Sequence, residues 1–126
     1  MGLGLDTLTF DCADPVRVAT FWAEALGFES ADLDPEGSWI RDPSGRTRGL
    51  FFQPVPEPKV AKNRLHIDVR PTVSMAEEVT RMQDLGATIQ GRVDVEGSFW
   101  TVMLDPERNE FCVLRGPEDG WAPDEL

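Results

Sequence analysis

"TLTFDCADPVRVATFWAEALGFE", residues 7–29, and "HIDVRPTVSMAEEVTRMQDLGAT", residues 66–88, follow one plan. Each opens with residues that alternate in polarity, as a strand does, then turns helical, then closes on Leu-Gly. Both glycines, Gly27 and Gly86, stand twenty positions after the first residue of their stretch. In the first stretch Asp14 suits a helix cap and Pro15 suits the first helical position. Val18, Phe21, Trp22, Ala25 and Leu26 then fall on one apolar stripe. In the second, Ser74 and Glu77 have capping-box spacing, and Met75, Val79, Met82 and Leu85 form the stripe. Gly27 and Gly86 can take the left-handed conformation that ends a helix.

Downstream, "DPSG" from Asp42 and "DPER" from Asp105 each separate two short apolar runs, as hairpin turns do. The predicted strands are 29–33, 38–41 and 49–53 after the first helix, and 88–93, 99–104 and 110–114 after the second. The unit is therefore βαβββ, present twice, in an α+β chain. Module one spans about 5–54, a proline-rich linker covers 55–62, module two spans about 63–115, and 116–126 reads as a disordered acidic tail.

A chain of 126 residues suits one domain with a real core. The net charge of −11 disfavours nucleic acid and anionic membranes, since phosphates would be repelled. No apolar run is long enough to span a bilayer, and the first residues do not resemble a secretory signal, so a cytoplasmic location is expected. Cys12 and Cys112 lack the spacing of a metal knuckle or redox pair and read as reduced thiols.

"NRLHIDVRP", residues 63–71, holds the single histidine. Alternation puts His66, Asp68 and Arg70 on one strand face and Leu65, Ile67 and Val69 on the other. "GLGL" near the start has neither the preceding strand nor the glycine spacing of a dinucleotide fingerprint.

The doubled βαβββ plan, with "DCADPVRVATFWAEALGFE", "LFFQPVPEPK", "NRLHIDV" and "DPERNEFCVL", resembles the vicinal oxygen chelate superfamily of glyoxalases, bleomycin-resistance proteins and extradiol dioxygenases, and in particular small bacterial glyoxalase-like proteins. The resemblance implies two modules forming a half-open barrel, helices outside and a concave cleft inside. It implies that Leu8, Phe10 and Cys12 face the helix while Thr7, Thr9 and Asp11 face the cleft. It also puts His66, Asp68, Arg70, Glu110 and Cys112 on the cleft side, with Trp39, Phe51, Gln53, Trp100 and Met103 as candidate lining.

Metal-dependent relatives draw one ligand from each of the first, fourth, fifth and eighth strands. Here those positions carry Thr7, Phe51 or Gln53, His66 and Cys112, so three of the four are not matched, and a divalent metal would use His66 with the nearby Glu110 and an Asp, or, for zinc, Cys112 with His66 if their geometry permits. The expected function is small-molecule binding, with lyase or isomerase chemistry on a carbonyl or enolisable compound. His66 and Glu110 would exchange the proton while Thr7, Gln53 and Arg70 position the substrate. The rival is a non-catalytic binder of the bleomycin-resistance type, which sequesters a planar cation in an acidic aromatic groove. A homodimer is implied by the resemblance alone.

Overall fold

The computed structural model describes residues 2–123. The chain divides between Val60 and Ala61, inside the proline-rich stretch expected to be a linker. The first unit runs β1 (Thr7–Cys12), α1 (Pro15–Leu26), β2 (Glu29–Asp32), β3 (Ser38–Arg41) and β4 (Gly49–Pro54). The second runs β5 (Ile67–Val69), α2 (Met75–Leu85), β6 (Thr88–Val95), β7 (Ser98–Leu104) and β8 (Glu110–Leu114). The chain is α+β, and each unit is one βαβββ module.

The sheet orders are β1-β4-β3-β2 and β5-β8-β7-β6, the same connectivity twice. In each, the first strand pairs parallel with the last, and the other pairs are antiparallel. A parallel partner needs a long crossover, which the helix and the intervening hairpin supply.

The helical stripes decide which face of each sheet is core. In the first unit Val18, Ala19 and Trp22 are buried with Ile40, Leu50 and Phe52. The Phe10 ring lies 5.9 Å from Trp22 and 5.2 Å from Phe52. In the second, Met75, Val79 and Met82 of α2 are buried with Met103, Phe111 and Val113, and the Thr101 hydroxyl donates to the Met75 sulfur at 3.5 Å. Each large apolar side chain removed from water contributes ~1.5–3 kcal/mol.

The helix ends follow the sequence. Asp14 accepts from the Arg17 N–H at 3.2 Å and Ser74 from the Glu77 N–H at 3.1 Å. Gly27 and Gly86 end the helices at φ 70° and 117°. In the DPSG turn, the hydroxyl and N–H of Ser44 bind the Asp42 carboxylate and hold it below the usual carboxylate range. In the DPER turn the same role goes to the buried Asp105, which accepts from the backbone and side chain of Asn109.

Gly49 stands at φ +136°, where an added Cβ would lie 2.0 Å from the Ile40 carbonyl oxygen. Gly49→Ala must therefore part β3 from β4 at their Arg41–Gly49 pair. The expected cost is ~3 kcal/mol or more, read as a lower denaturant midpoint. A loss under ~1 kcal/mol would mean the pairing there is not what the chain depends on.

Two expectations change. The alternating run at 65–69 shortens to Ile67–Val69: Leu65 is 67% exposed and His66 stands one residue ahead of β5. The preceding backbone bonds elsewhere, since the Asn63 N–H donates to Glu110 Oε1 at 3.0 Å and its side chain donates to Asn109 at 2.9 Å. The acidic tail is ordered through the described residues. Pro117–Asp119 forms a 3-10 turn, and Asp119 accepts from the N–H groups of Met75 at 2.7 Å and Gly116 at 2.9 Å. A carboxylate there satisfies an orphan donor at the positive end of α2, which ties the segment down. Residues 124–126 lie outside the described part.

Candidate functional site

Register fixes what the second sheet shows on the face opposite α2. Asp68 is paired with Cys112, and Cys112 with Val102; Leu114 is paired with Trp100, and Glu110 with Leu104. His66 Nε2 lies 3.4 Å from Asp68 Oδ1, with both side chains partly exposed. The imidazole, the Asp68 carboxylate and the Cys112 sulfur all come within 4.8 Å of one another. This trio is the densest chemistry among the described residues of that face.

Cys112 is buried, and its thiol is pushed up to about 11. Burial is the main cause, followed by the negative charge of Asp68 and a hydrogen bond to it. The sulfur is thus a neutral donor to Asp68 near neutral pH rather than a nucleophile. A raised folded-state value means that this contribution to stability is complete below the unfolded thiol's value and is lost as pH rises toward 11. Cys112→Ala is expected to flatten that alkaline decline. In a Cys12→Ala background, Asp68→Asn is expected to speed alkylation of Cys112 at mildly alkaline pH. An unchanged rate would remove Asp68 as a cause.

Glu110 differs from its expected role. It is buried and accepts from the Asn63 N–H, and it stands outside the trio. The carboxylate at ion-pair distance from His66 is that of Asp68. The residues that could hold a metal ion gather as His66, Asp68 and Cys112, a group that contains the His66–Cys112 pair and leaves out Glu110. Met103 is fully buried on the α2 side of β7, in register with Phe111, and does not line the open face. Trp100 does, in register with Leu114.

In the first unit Thr7, Thr9, Asp11, Trp39, Phe51 and Gln53 share the face away from α1, as their pairings require. The rings of Trp39 and Phe51 lie 4.8 Å apart. Arg41 pairs with Glu29. The Thr7 hydroxyl donates to Asp6 at 2.7 Å, and Phe51 presents a ring without a donor atom. Among the residues at the superfamily ligand positions, Thr7 and Phe51 are poor metal donors, and His66 and Cys112 come together with Asp68.

A second feature was not anticipated. Beside Arg70, a cavity of about 130 Å³ is lined by Trp100 and Leu114 from the open face, together with Ser98, Arg115 and Trp121. The Arg70 guanidinium lies 4.1 Å from the Trp121 ring centre and donates to the Arg115 carbonyl at 2.7 Å. Trp121 was read as part of a disordered tail. The signal available in the sequence was a large apolar ring in an otherwise acidic segment, a residue that gains by packing.

A repeated βαβββ module with polar groups gathered on the sheet face opposite its helix is the plan of a glyoxalase-type α+β protein. The chain belongs to the glyoxalase-like domain family, whose sequence pattern matches residues 7–114. Among solved structures, a glyoxalase/bleomycin resistance protein/dioxygenase family enzyme from Burkholderia phytofirmans shares 21% identity over 88% of this chain and 97% of that one, with a TM-score of 0.70. A protein from Agrobacterium tumefaciens shares 16% identity over 90% and 98%, with a TM-score of 0.71. The fosfomycin resistance protein FosX from Listeria monocytogenes shares 16% identity over 92% of each chain, with a TM-score of 0.70. No curated protein matches the chain at a significant level. The fold and its superfamily are those expected from the doubled module. Among the described residues no helix is long and apolar enough to cross a membrane.

Proposed function

We propose that the chain is a small-molecule enzyme of the lyase or isomerase kind, moving a proton beside a carbonyl. One observation carries this: His66 lies at ion-pair distance from Asp68, and Arg70 of the cavity follows two residues along the same segment. His66 takes the proton from the carbon next to the carbonyl. The electron pair moves onto the carbonyl oxygen, and the proton on the ring is balanced by the Asp68 carboxylate 3.4 Å away. Returning the proton at a neighbouring atom gives an isomerase, and departure of a group from the neighbouring carbon gives a lyase. Cys112 holds Asp68 from below as a neutral donor. A positioned general base of this kind contributes ~10²–10⁴ in rate.

Support for substrate binding comes from the family and from the cavity. FosX is described with Mn(II) and a dihydroxypropylphosphonic acid, a small organic anion. The rival reading, a trap for a planar cation, is distinguished by tight binding of such a cation without exchange on any substrate. Pairing of two copies and a cytoplasmic setting belong to the same proposal, and light scattering of the purified chain checks the first.

The test is deuterium exchange in deuterium oxide, followed by NMR across a series of enolisable α-keto acids. Exchange at the carbon beside the carbonyl, faster than in buffer and lost in His66→Ala, is expected for at least one member. No exchange above the buffer rate across the series would contradict the reading.

A further inference from the structure

The superfamily plan draws metal ligands from both modules, one each from β1, β4, β5 and β8. Module two gathers three donors by itself. His66 precedes β5, Asp68 lies within it, and Cys112 is paired with Asp68 on β8. A ring nitrogen, a carboxylate oxygen and a sulfur from these residues all lie within 4.8 Å of one another. Asp68 stands at none of the superfamily positions, so the trio is a different donor set. All three residues belong to the second unit, and the first supplies none of them.

Tetrahedral zinc binds sulfur at ~2.3 Å and nitrogen or oxygen at ~2.0–2.2 Å, which sets its ligand atoms ~3.3–3.7 Å apart. His66 Nε2 and Asp68 Oδ1 already lie 3.4 Å apart. Drawing them onto the sulfur takes a movement of roughly 1 Å. The side chains that must move are the partly exposed ones, while Cys112 is buried and held by β8.

The donors also select the ion. Imidazole with thiolate favours Zn²⁺ and similar borderline cations over Mg²⁺ and Ca²⁺, which take oxygen. With the ring neutral, one carboxylate and one thiolate balance a dication. Of the charges acting on the sulfur, Asp68 outweighs Lys62. The net charge of −11 favours the approach of a cation.

We propose that His66, Asp68 and Cys112 form a site for one thiophilic divalent cation of the zinc class, held by module two alone, and that the bound ion shuts off proton transfer. The sulfur–metal bond forms as the S–H proton leaves to solvent, and no electron changes hands. A ring bonded through Nε2 keeps its hydrogen on Nδ1 and has no lone pair left for a substrate. The shut-off rests on the proton-transfer reading; the site does not.

Cobalt(II) is the probe, because a thiolate bound to it gives a charge-transfer band in the near ultraviolet. On the full chain, reduced and freed of metal, one equivalent of cobalt is expected to raise that band. One equivalent of zinc should abolish it, and excess magnesium should not. The band should vanish in Cys112→Ala and persist in Cys12→Ala and Glu110→Gln. Losing an outer-shell partner alone costs ~10–100-fold in metal affinity, so His66→Ala and Asp68→Asn should each weaken cobalt at least ~10-fold. Zinc at saturation should suppress exchange on the responsive α-keto acid at least ~10-fold, as removal of a general base does.

No band on the unaltered protein in excess cobalt would overturn the site, whatever the variants do. A band that survives Cys112→Ala, or that depends on Cys12, would overturn it too. Exchange that continues undiminished in the zinc-saturated protein would overturn the shut-off. Cobalt bound as described, with no acid exchanging even in the metal-free protein, would sink the proton-transfer reading and leave the site standing. Exchange without a cobalt band would do the reverse.

Discussion

His66→Ala is expected to lower proton exchange on the responsive α-keto acid by ~10²–10⁴ while leaving its affinity nearly unchanged. The ring is partly exposed and stands ahead of β5, so its removal leaves no core cavity. The loss should therefore appear in the maximal rate and not in the thermal midpoint. Asp68→Asn should fall between His66→Ala and the parent, because it removes the balancing charge but not the base. Glu110→Gln speaks to the earlier expectation. Glu110 is engaged with the Asn63 N–H, so its substitution should act mainly on stability. If Glu110→Gln abolished exchange and Asp68→Asn did not, the assignment of the carboxylate partner would be reversed.

Phe111→Ala is expected to cost ~3–5 kcal/mol, the range for a fully buried aromatic in a core that collapses only in part. Phe111 has no exposed surface, pairs with Ile67 on one side and Met103 on the other, and adjoins Cys112, which points to the opposite face. One strand thus carries core and site on alternate residues. Losing the ring should loosen β5 from β8 and so part Asp68 from Cys112. The chemical unfolding midpoint measures the first effect, and the alkylation rate of Cys112 measures the second. A cost below ~1 kcal/mol would mean that α2 and the sheet do not share the core described.

The repeat made the fold readable. Helix stripes, caps and closing glycines are local signals, and they fell in the same places twice, so β3 and β8 match their expected limits and the other described strands differ by a few residues at most. Parity sorted β1, where polar and apolar residues alternate and Phe10 meets Trp22 of α1 as expected. It could not sort Met103, since β7 is apolar on both faces and either assignment satisfies the pattern.

The site was only partly legible. Alternation put His66, Asp68 and Cys112 on one face, and they lie together, but which carboxylate meets the imidazole depends on the Asn63 N–H that Glu110 accepts from, a tertiary matter. The stacking of Trp121 under Arg70 joins residues far apart in sequence through a tail that looked too acidic to pack. The Asp119 carboxylate, meeting the orphan donor of Met75, and the Glu118 N–H, donating to the Val73 carbonyl, tie it down.

The most direct measurement is an NMR titration of the four indole N–H signals, one for each of Trp22, Trp39, Trp100 and Trp121, with the enolisable α-keto acid that exchanges fastest. If the substrate sits on the sheet face that carries Asp68 and Cys112, the signal of Trp100 should shift saturably while buried Trp22 stays still. Saturable binding with Trp100 unmoved would place the substrate elsewhere and contradict the site.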